Sequence, residues 1–461
     1  MNPFAVRWTR LLVCVLLCAA VALPAEAQSP APLAKVELKS GDTLLFLGDS
    51  ITHQCLYTQY IEDYYFTRYP QTRLHFYNSG VSGDKAGDAL ARFDGDVAAL
   101  KPAYVTVLLG MNDGLYRHFS HDVFKRYETD MTALIARLNK LGTKTILMGP
   151  SMYDARVSKT KPPRWVASNP EQGREVTNYY PAVLAFFGAW QRDQATHQGL
   201  GYVELQAFME FMTREQRIRS PGFTMIPDAV HPNPQGHAVM AHAFLEQMHV
   251  KRQVSSIMAR RERNGWRVTG KFVKISDVAG DADSVEFTVL AESLPWVLPA
   301  EAEPGYRMAK SGHKLSNERL RILGLPPGRY SLSIDGVNVG TYSHAVLAAK
   351  IELQANSKTP QYQQALAVAM LNKERNDKVI RPLRNKWHQL RNKFTRPGKT
   401  GTAEYKAFLP EFRRQVAELE KQSKDFEARI YAAAQPVPRK YSIRRVVAPR
   451  RKKKQRAGDK T

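Results

Sequence analysis

The sequence predicts an α/β domain built on a parallel sheet, followed by a small β-rich module and a pair of long helices. From about residue 39 to 250, short apolar runs alternate with longer amphipathic runs, which is typical of repeated strand–helix–strand units. From 251 to 355, apolar and polar residues alternate as they do in half-exposed strands, and from 356 to 434 apolar residues recur at helical spacing. A chain of 461 residues is long enough to hold these modules.

The first 27 residues have the composition of a secretory signal peptide. Arg7 and Arg10 precede an apolar run over 11–23, and residues 25–27 form an A-x-A cleavage site. The apolar run is too short to favour a membrane-spanning helix, and no other run is long enough to cross a bilayer. We therefore expect a periplasmic or secreted mature chain that has no transmembrane segment and begins with a linker over 28–38.

The cysteine content excludes an intramolecular disulfide in the mature chain. Cleavage after residue 27 removes Cys14 and Cys18 and leaves Cys55 alone. Since Cys55 lies within a predicted first helix, we interpret it as a small buried apolar residue rather than a catalytic thiol.

The elements of the first domain, residues 39–250, follow from its apolar runs. Five of them predict strands, over residues 43–47, 73–77, 104–109, 144–148 and 202–205. Between the strands, helical spacing predicts helices over 87–100 and 123–141. Residues 154–177 are rich in Pro, Lys, Ser and Asn, so we expect a long loop there, near the mouth of a site.

The C-terminal half predicts a β-rich module over 251–355 and a helical region over 356–434. Three alternating runs predict strands of the module, over residues 266–268, 285–289 and 330–334. Two amphipathic runs, 361–394 and 404–434, predict a helical hairpin. Pro382 should kink or break the first of these helices.

The formal charge of +24 is concentrated at the C-terminus. Residues 439–461 carry eleven Lys or Arg against Asp459 alone, and few apolar residues. This composition predicts a basic disordered tail over 435–461. In an exported protein, such a tail favours an anionic envelope polymer as partner over nucleic acid, and a merely solvated tail is the alternative.

Ser50 follows an apolar run that ends at Gly48, and helical periodicity begins soon after it. This places Ser50 at the carboxyl end of a strand and the start of a helix, where open parallel sheets bind ligands. The helix dipole and free N–H groups there favour a developing negative charge. Ser50 alone is equally compatible with a plain helix N-cap.

Two further loops follow the second and third predicted strands. The glycine of Asn78-Ser79-Gly80 allows a close approach of the backbone to a ligand. Asn112, in the loop after the third strand, offers a neutral amide that donates a hydrogen bond without forming a resting ion pair. Taken singly, each loop is also typical of an ordinary strand-to-helix turn.

The segment Asp228-Ala229-Val230-His231 is the most specific pattern in the chain. Its three-residue spacing on a Pro-rich loop lets the carboxylate of Asp228 hold the imidazole of His231, which would then take a proton from a hydroxyl. The same pair also suits a metal ion, but no further His, Cys or acidic cluster completes a metal site. We therefore predict no metal and no cofactor.

These four segments, in this order, resemble the four blocks of the SGNH (GDSL-type) esterase family across residues 39–250. The resemblance implies a three-layer α/β/α, flavodoxin-like fold, with Ser50, Asp228 and His231 catalytic. It further implies an oxyanion hole formed by Ser50, Gly80 and Asn112. Ile51-Thr52 replaces the Leu-Ser common in classical GDSL proteins, as in the bacterial branch that includes many carbohydrate and small-ester esterases.

The predicted function is hydrolysis of short-chain esters, with acetyl groups on carbohydrate as the favoured substrate. A lysophospholipase or thioesterase would require an apolar acyl groove, and an acyltransferase would use the same three residues. A binding or structural envelope protein with a residual hydrolase domain is a third alternative, which the complete set of catalytic types disfavours. The polar composition of 154–177 favours the carbohydrate substrate.

Overall fold

The parallel sheet of the first domain has five strands. The computed structural model describes residues 31–161 and 170–446, and its first sheet has the strand order β2-β1-β3-β4-β5. These strands are β1 (Thr43–Gly48), β2 (His75–Gly80), β3 (Tyr104–Leu108), β4 (Lys144–Met148) and β5 (Gly201–Val203). All four neighbouring pairs are parallel, and helices flank the sheet. The predicted flavodoxin-like α/β fold is therefore confirmed.

The helices of this domain connect successive strands. They are α1 (Ser50–His53), α2 (Leu56–Arg68), α3 (Ala86–Ala91), α4 (Phe93–Asp96), α5 (His121–Leu141), α6 (Ala155–Thr160), α7 (Pro170–Gln198), α8 (Gln206–Arg219) and α9 (Pro234–Gln247). The helix predicted over 87–100 is divided into α3, α4 and a 3₁₀ turn, Ala98–Leu100. The loop predicted over 154–177 is wrong in part, because it contains α6 and the start of α7, while residues 162–169 lie outside the described part of the chain.

The β-rich module is a sandwich of two sheets. One sheet has the order β13-β10-β6-β7 and the other β12-β11-β14-β9-β8. The strands are β6 (Gln253–Glu262), β7 (Gly265–Lys271), β8 (Val273–Gly280), β9 (Ser284–Ala291), β10 (Asn317–Leu323), β11 (Arg329–Ile334), β12 (Val337–Ser343), β13 (Ile351–Glu352) and β14 (Arg439–Arg445). Alternate residues of β6 and β10 share one buried cluster with those of β9, β11 and β14. Short helices α10 (Glu303–Met308), α11 (Ser311–Leu315) and α12 (His344–Ala349) lie in its connections.

The strand β14 corrects the prediction of a disordered tail over 435–461. It lies between β9 and β11 and pairs antiparallel with both. Tyr441 and Ile443 point into the core of the sandwich, while Lys440 and Arg444 on the other face pair with Glu286. The high density of basic residues hid this strand alternation. Residues 447–461 lie outside the described part of the chain, as do the predicted signal peptide and the first residues of the linker.

Three helices complete the C-terminal half. They are α13 (Pro360–Arg375), α14 (Arg381–Leu390) and α15 (Ala403–Ala433), and five-residue π-helical turns, Asn376–Ile380 and Arg391–Thr395, follow α13 and α14. Pro382 lies in the first turn of α14, directly after a π-turn that interrupts the regular hydrogen-bond ladder, and no sharp break occurs. Buried residues of α13 and α15 belong to the same core as the parallel sheet, so these helices pack on the first domain.

The predicted linker and the predicted absence of a transmembrane segment can be compared with the described residues. Residues 31–38 run without regular structure along the first domain, where the N–H of Leu33 donates to the carbonyl of Leu200 and Val36 is buried. Among residues 31–161 and 170–446, no helix is both long enough and apolar enough to span a bilayer.

Candidate active site

Ser50 lies where β1 passes into α1. The carboxylate of Asp49 accepts a hydrogen bond from the N–H of Ile51 at 2.9 Å and so caps this short helix. Asp49 is buried, and burial raises its pKa to about 7. The predicted position of Ser50, at a strand end and a helix start, is what the structure has.

Ser50, His231 and Asp228 form one chain of hydrogen bonds. The Oγ of Ser50 lies 2.9 Å from Nε2 of His231, and Nδ1 of His231 lies 2.7 Å from Oδ2 of Asp228. The other carboxylate oxygen accepts the N–H of His231 at 2.7 Å and that of Val230 at 3.0 Å. Ala229, which directly follows Asp228, has a φ of 72°, a left-handed conformation that a non-glycine residue rarely adopts. This tight turn brings the carboxylate and the imidazole of one segment face to face.

His231 and Asp228 each shift the pKa of the other. Burial alone would lower the pKa of His231, but the hydrogen bond and the charge of Asp228 raise it above its usual value. Burial opposes ionisation of Asp228, yet the hydrogen bonds from His231 lower the pKa of Asp228 below its usual value. The carboxylate therefore stays ionised at neutral pH and stabilises a positive charge on the imidazole.

The resemblance implied that the N–H of Gly80 helps to form an oxyanion hole. In the structure, this N–H donates to the side-chain oxygen of Asn78 at 2.8 Å. A Cβ at this position would lie 2.4 Å from the N atom of His53 and 2.6 Å from the carbonyl carbon of Thr52. Glycine is needed here because β2 passes directly against the backbone of α1.

Asn112 lies beside the turn that leads from β1 to Ser50. Its Nδ2 donates to the carbonyl of Asp84 at 3.0 Å and lies 3.4 Å from Oδ2 of Asp49. Its Oδ1 accepts from the hydroxyl of Tyr116 at 3.0 Å. These contacts orient the amide nitrogen between the loops that follow β1 and β2.

Two buried histidines near Ser50 are neutral. Burial lowers the pKa of His237 to about 3, and this ring accepts from the N–H of Tyr57 and lies 3.0 Å from Oε1 of Gln54. Burial, and then the charge of Arg384, lowers the pKa of His53 to about 4. Both rings hold α1 and its neighbours in place.

The pocket over Ser50 is open. It has a volume of about 510 Å³, and eight of the nine residues that line it have side chains that donate or accept hydrogen bonds. The lining residues are Ser50, His53, Gln54, Leu56, Ser82, Asp228, His231, Arg381 and Asn385. Sequence reasoning missed Arg381 and Asn385, because they lie on α14, far along the chain from the four blocks.

Arginines of the C-terminal helices fasten this half of the chain to the pocket. The guanidinium of Arg384 is fully buried; its Nε donates to the carbonyl of Gly80 at 3.0 Å and its two Nη atoms bind Asp96 at 2.8 and 2.5 Å. Arg391 binds Asp84 at 2.7 Å in the loop after β2. These contacts join α14 and the turn that follows it to the loops around Ser50.

Within the described ranges, no three His, Cys, Asp or Glu side chains are grouped as a metal ion would require. The hydrogen-bonded chain through Ser50 joins a hydroxyl, an imidazole and a carboxylate, all of them side chains.

Comparison with known proteins identifies the domain that holds this site. Residues 46–239 match the model of the GDSL-like lipase/acylhydrolase family. The chain therefore contains a GDSL-like lipase/acylhydrolase domain. The predicted class, a hydrolase of carboxylic esters, is thereby confirmed.

Two relatives show how far the similarity extends along the chain. An acetylxylan esterase of Geobacillus stearothermophilus is 25% identical over 241 residues, which are 46% of this chain and 96% of the relative. The solved structure of a gut microbial diltiazem-metabolizing enzyme, 25% identical, covers 90% of this chain and 100% of its own with a TM-score of 0.78. The second similarity therefore reaches beyond the esterase domain into the C-terminal half.

Proposed function

We propose that this esterase removes short acyl groups, and acetyl in particular, from carbohydrate, with Ser50, His231 and Asp228 as its catalytic residues. The observation that carries the proposal is the hydrogen-bonded chain from Ser50 Oγ through His231 to Asp228, at 2.9 and 2.7 Å, on the wall of an open pocket. This is the arrangement that activates a serine hydroxyl toward an ester carbonyl.

In the proposed reaction, His231 takes the proton of Ser50 as its Oγ attacks the ester carbonyl. His231 then gives that proton to the leaving alcohol, and the acyl group stays on Ser50 until water, deprotonated by His231, attacks it. The bond between the acyl carbon and Ser50 Oγ breaks, His231 returns the proton to Oγ, and the carboxylic acid leaves. Asp228 keeps Nδ1 of His231 protonated and stabilises the imidazolium. The oxyanion is expected to bind the N–H of Ser50, at the start of α1, and the amide of Asn112.

The proposed substrate follows from the character of the pocket. Of the side chains that line it, Leu56 alone is aliphatic, and the remainder donate or accept hydrogen bonds. A long acyl chain would need an apolar groove, whereas the hydroxyl groups of a sugar match polar walls. The relative named as an acetylxylan esterase supports an acetylated carbohydrate.

The proposal is tested with a series of p-nitrophenyl esters of increasing chain length and with acetylated xylo-oligosaccharides. We expect kcat/KM to fall steadily beyond acetate. Ser50→Ala and His231→Ala should each abolish hydrolysis, and the double variant should be no worse than either, because both residues act in one proton-transfer unit. Retained turnover in Ser50→Ala, or a preference for long acyl chains, would contradict the proposal.

We also propose that the protein acts in the periplasm or outside the cell. The arginines and the apolar run within residues 1–27 support this location. The mass of the mature N-terminus, measured after expression with the full chain, tests it. Cleavage near residue 27 is expected, and an uncleaved chain in the cytoplasm would contradict it.

A further inference from the structure

The C-terminal helix α14 supplies one wall of the active-site pocket. Arg381 and Asn385, one helical turn apart, line the same cavity as Ser50 and His231. The Oδ1 of Asn385 lies 3.0 Å from Nε2 of His53, so this asparagine is held against the C-terminal end of α1. Neither residue lies within the span matched by the esterase family, residues 46–239.

Arg381 is the cationic side chain of this wall. Its Nη2 donates to the carbonyl of Gln54 at 3.0 Å and lies 3.4 Å from a carboxylate oxygen of Asp377, in the π-helical turn that precedes α14. These contacts fix the guanidinium at the pocket, yet 42% of its side chain stays exposed. A guanidinium has five N–H donors in a planar fork, so donors remain for a ligand that enters the pocket.

Two arginines lie close to the ring of His53 on this wall. Burial lowers the pKa of His53 to about 4, and the charges of Arg384 and Arg381 act in the same direction. On the other side of the pocket, Asp228 is committed to His231 by a 2.7 Å hydrogen bond. Asp377 is the carboxylate paired with Arg381 itself, at a distance longer than the 2.5–2.8 Å contacts of the buried Arg384 with Asp96.

We propose that α14 forms the wall that contacts the alcohol part of the ester, which is the carbohydrate, and that Arg381 binds a carboxylate on this carbohydrate. The preferred substrates are then acetyl esters of acidic sugars, such as uronic acids. This inference rests on the proposed esterase function and names the substrate class within it. The formal charge of +24 acts in the same direction, because it attracts anionic polymers to the enzyme as a whole.

The test compares two acetate esters that differ in one group: an O-acetylated methyl glucuronoside and its neutral carboxamide. We expect the wild type to favour the acid by about 10- to 100-fold in kcat/KM, the range of a charge-assisted bidentate contact. Arg381→Ala and Arg381→Gln should bring this ratio close to one, chiefly by raising KM for the acid.

The matched control is Lys378→Ala. Lys378 is a cation one turn earlier, pairs with Glu374 and is outside the pocket, so its removal should leave the ratio unchanged. Thermal melting of each variant separates misfolding from loss of recognition.

A wild type that hydrolyses both esters equally well, or a ratio that survives in both Arg381 variants, would overturn this inference and leave the esterase proposal intact. Failure of the wild type on both esters and on p-nitrophenyl acetate would instead overturn the proposed function, and this inference with it.

Discussion

Replacing Gly80 with alanine should disable the active site without touching a catalytic residue. The added Cβ would lie 2.4 Å from the N atom of His53 and 2.6 Å from the carbonyl carbon of Thr52. Ordinary contact begins at 3.4 Å, so the backbone of α1 and β2 must separate by about 1 Å. Both clashing atoms belong to backbone of the helix that begins at Ser50, and backbone cannot rotate aside as the end of a side chain can.

The magnitude follows from this shift. A displacement of about 1 Å would stretch the 2.9 Å contact between Ser50 Oγ and His231 Nε2 beyond hydrogen-bonding distance. Misplacement by 1 Å typically costs about 10²-fold in rate. The overpacking should also reduce the free energy of unfolding by about 1–3 kcal/mol.

The assay is kcat on p-nitrophenyl acetate for Gly80→Ala, together with its urea unfolding curve. Gly222→Ala is the matched control, because a Cβ there meets nothing within 4 Å. We expect the control to match the wild type in both measurements. A Gly80→Ala enzyme with wild-type kcat would refute the close approach of β2 and α1 that this reasoning requires.

Three further predictions concern charge and chain length. Asp228→Asn should lower kcat by about 10⁴-fold. The carboxylate of Asp228 raises the pKa of His231, so its loss should lower that pKa. Because the base must be neutral, the acid limb of the kcat/KM profile of the variant should move to lower pH. An acid limb at the wild-type pH would contradict the pairing. Arg384→Ala should reduce the free energy of unfolding, measured in urea, by about 3–5 kcal/mol, because the buried carboxylate of Asp96 loses a partner. A change below about 1 kcal/mol would contradict the buried pair. A chain that ends at Val446 should keep its turnover on a small ester and bind anionic polymers with less sensitivity to salt. A chain that ends at Gln435 lacks β14 and should lose the β sandwich. If the two chains melt at the same temperature, the assignment of β14 is wrong.

The sequence was sufficient for the fold of the first domain and for the residues that meet in it. The strands predicted over 43–47 and 144–148 correspond closely to β1 and β4, because buried parallel strands are short continuous apolar runs. Ser50, Asp228 and His231 meet as the motifs implied. Ser50 lies at the carboxyl end of β1, and the loop between α8 and α9 brings Asp228 and His231 to the same edge of the sheet.

Tertiary contacts decided the features that the sequence did not predict. Gly80 carries the residue type of a ligand-binding loop, but its partner is the backbone of α1, which no local pattern reveals. The strand β14 has two inward residues among basic ones, too few for a clear alternation, and its pairing partners are distant in sequence. Arg381 lies in a sequence typical of any charged helix, and only the packing of α14 against the first domain places it at the pocket.

The position of β14 has a consequence for how the chain folds. The strand lies in the interior of its sheet, with β9 on one side and β11 on the other, yet it is the last described element to be synthesised. Until it emerges, β9 and β11 each expose an unpaired edge, and the two hairpins β8–β9 and β11–β12 have no strand to join them. Such non-local pairing folds slowly, so we expect partly synthesised chains to be the aggregation-prone species and the finished sandwich to form only after translation of residue 445.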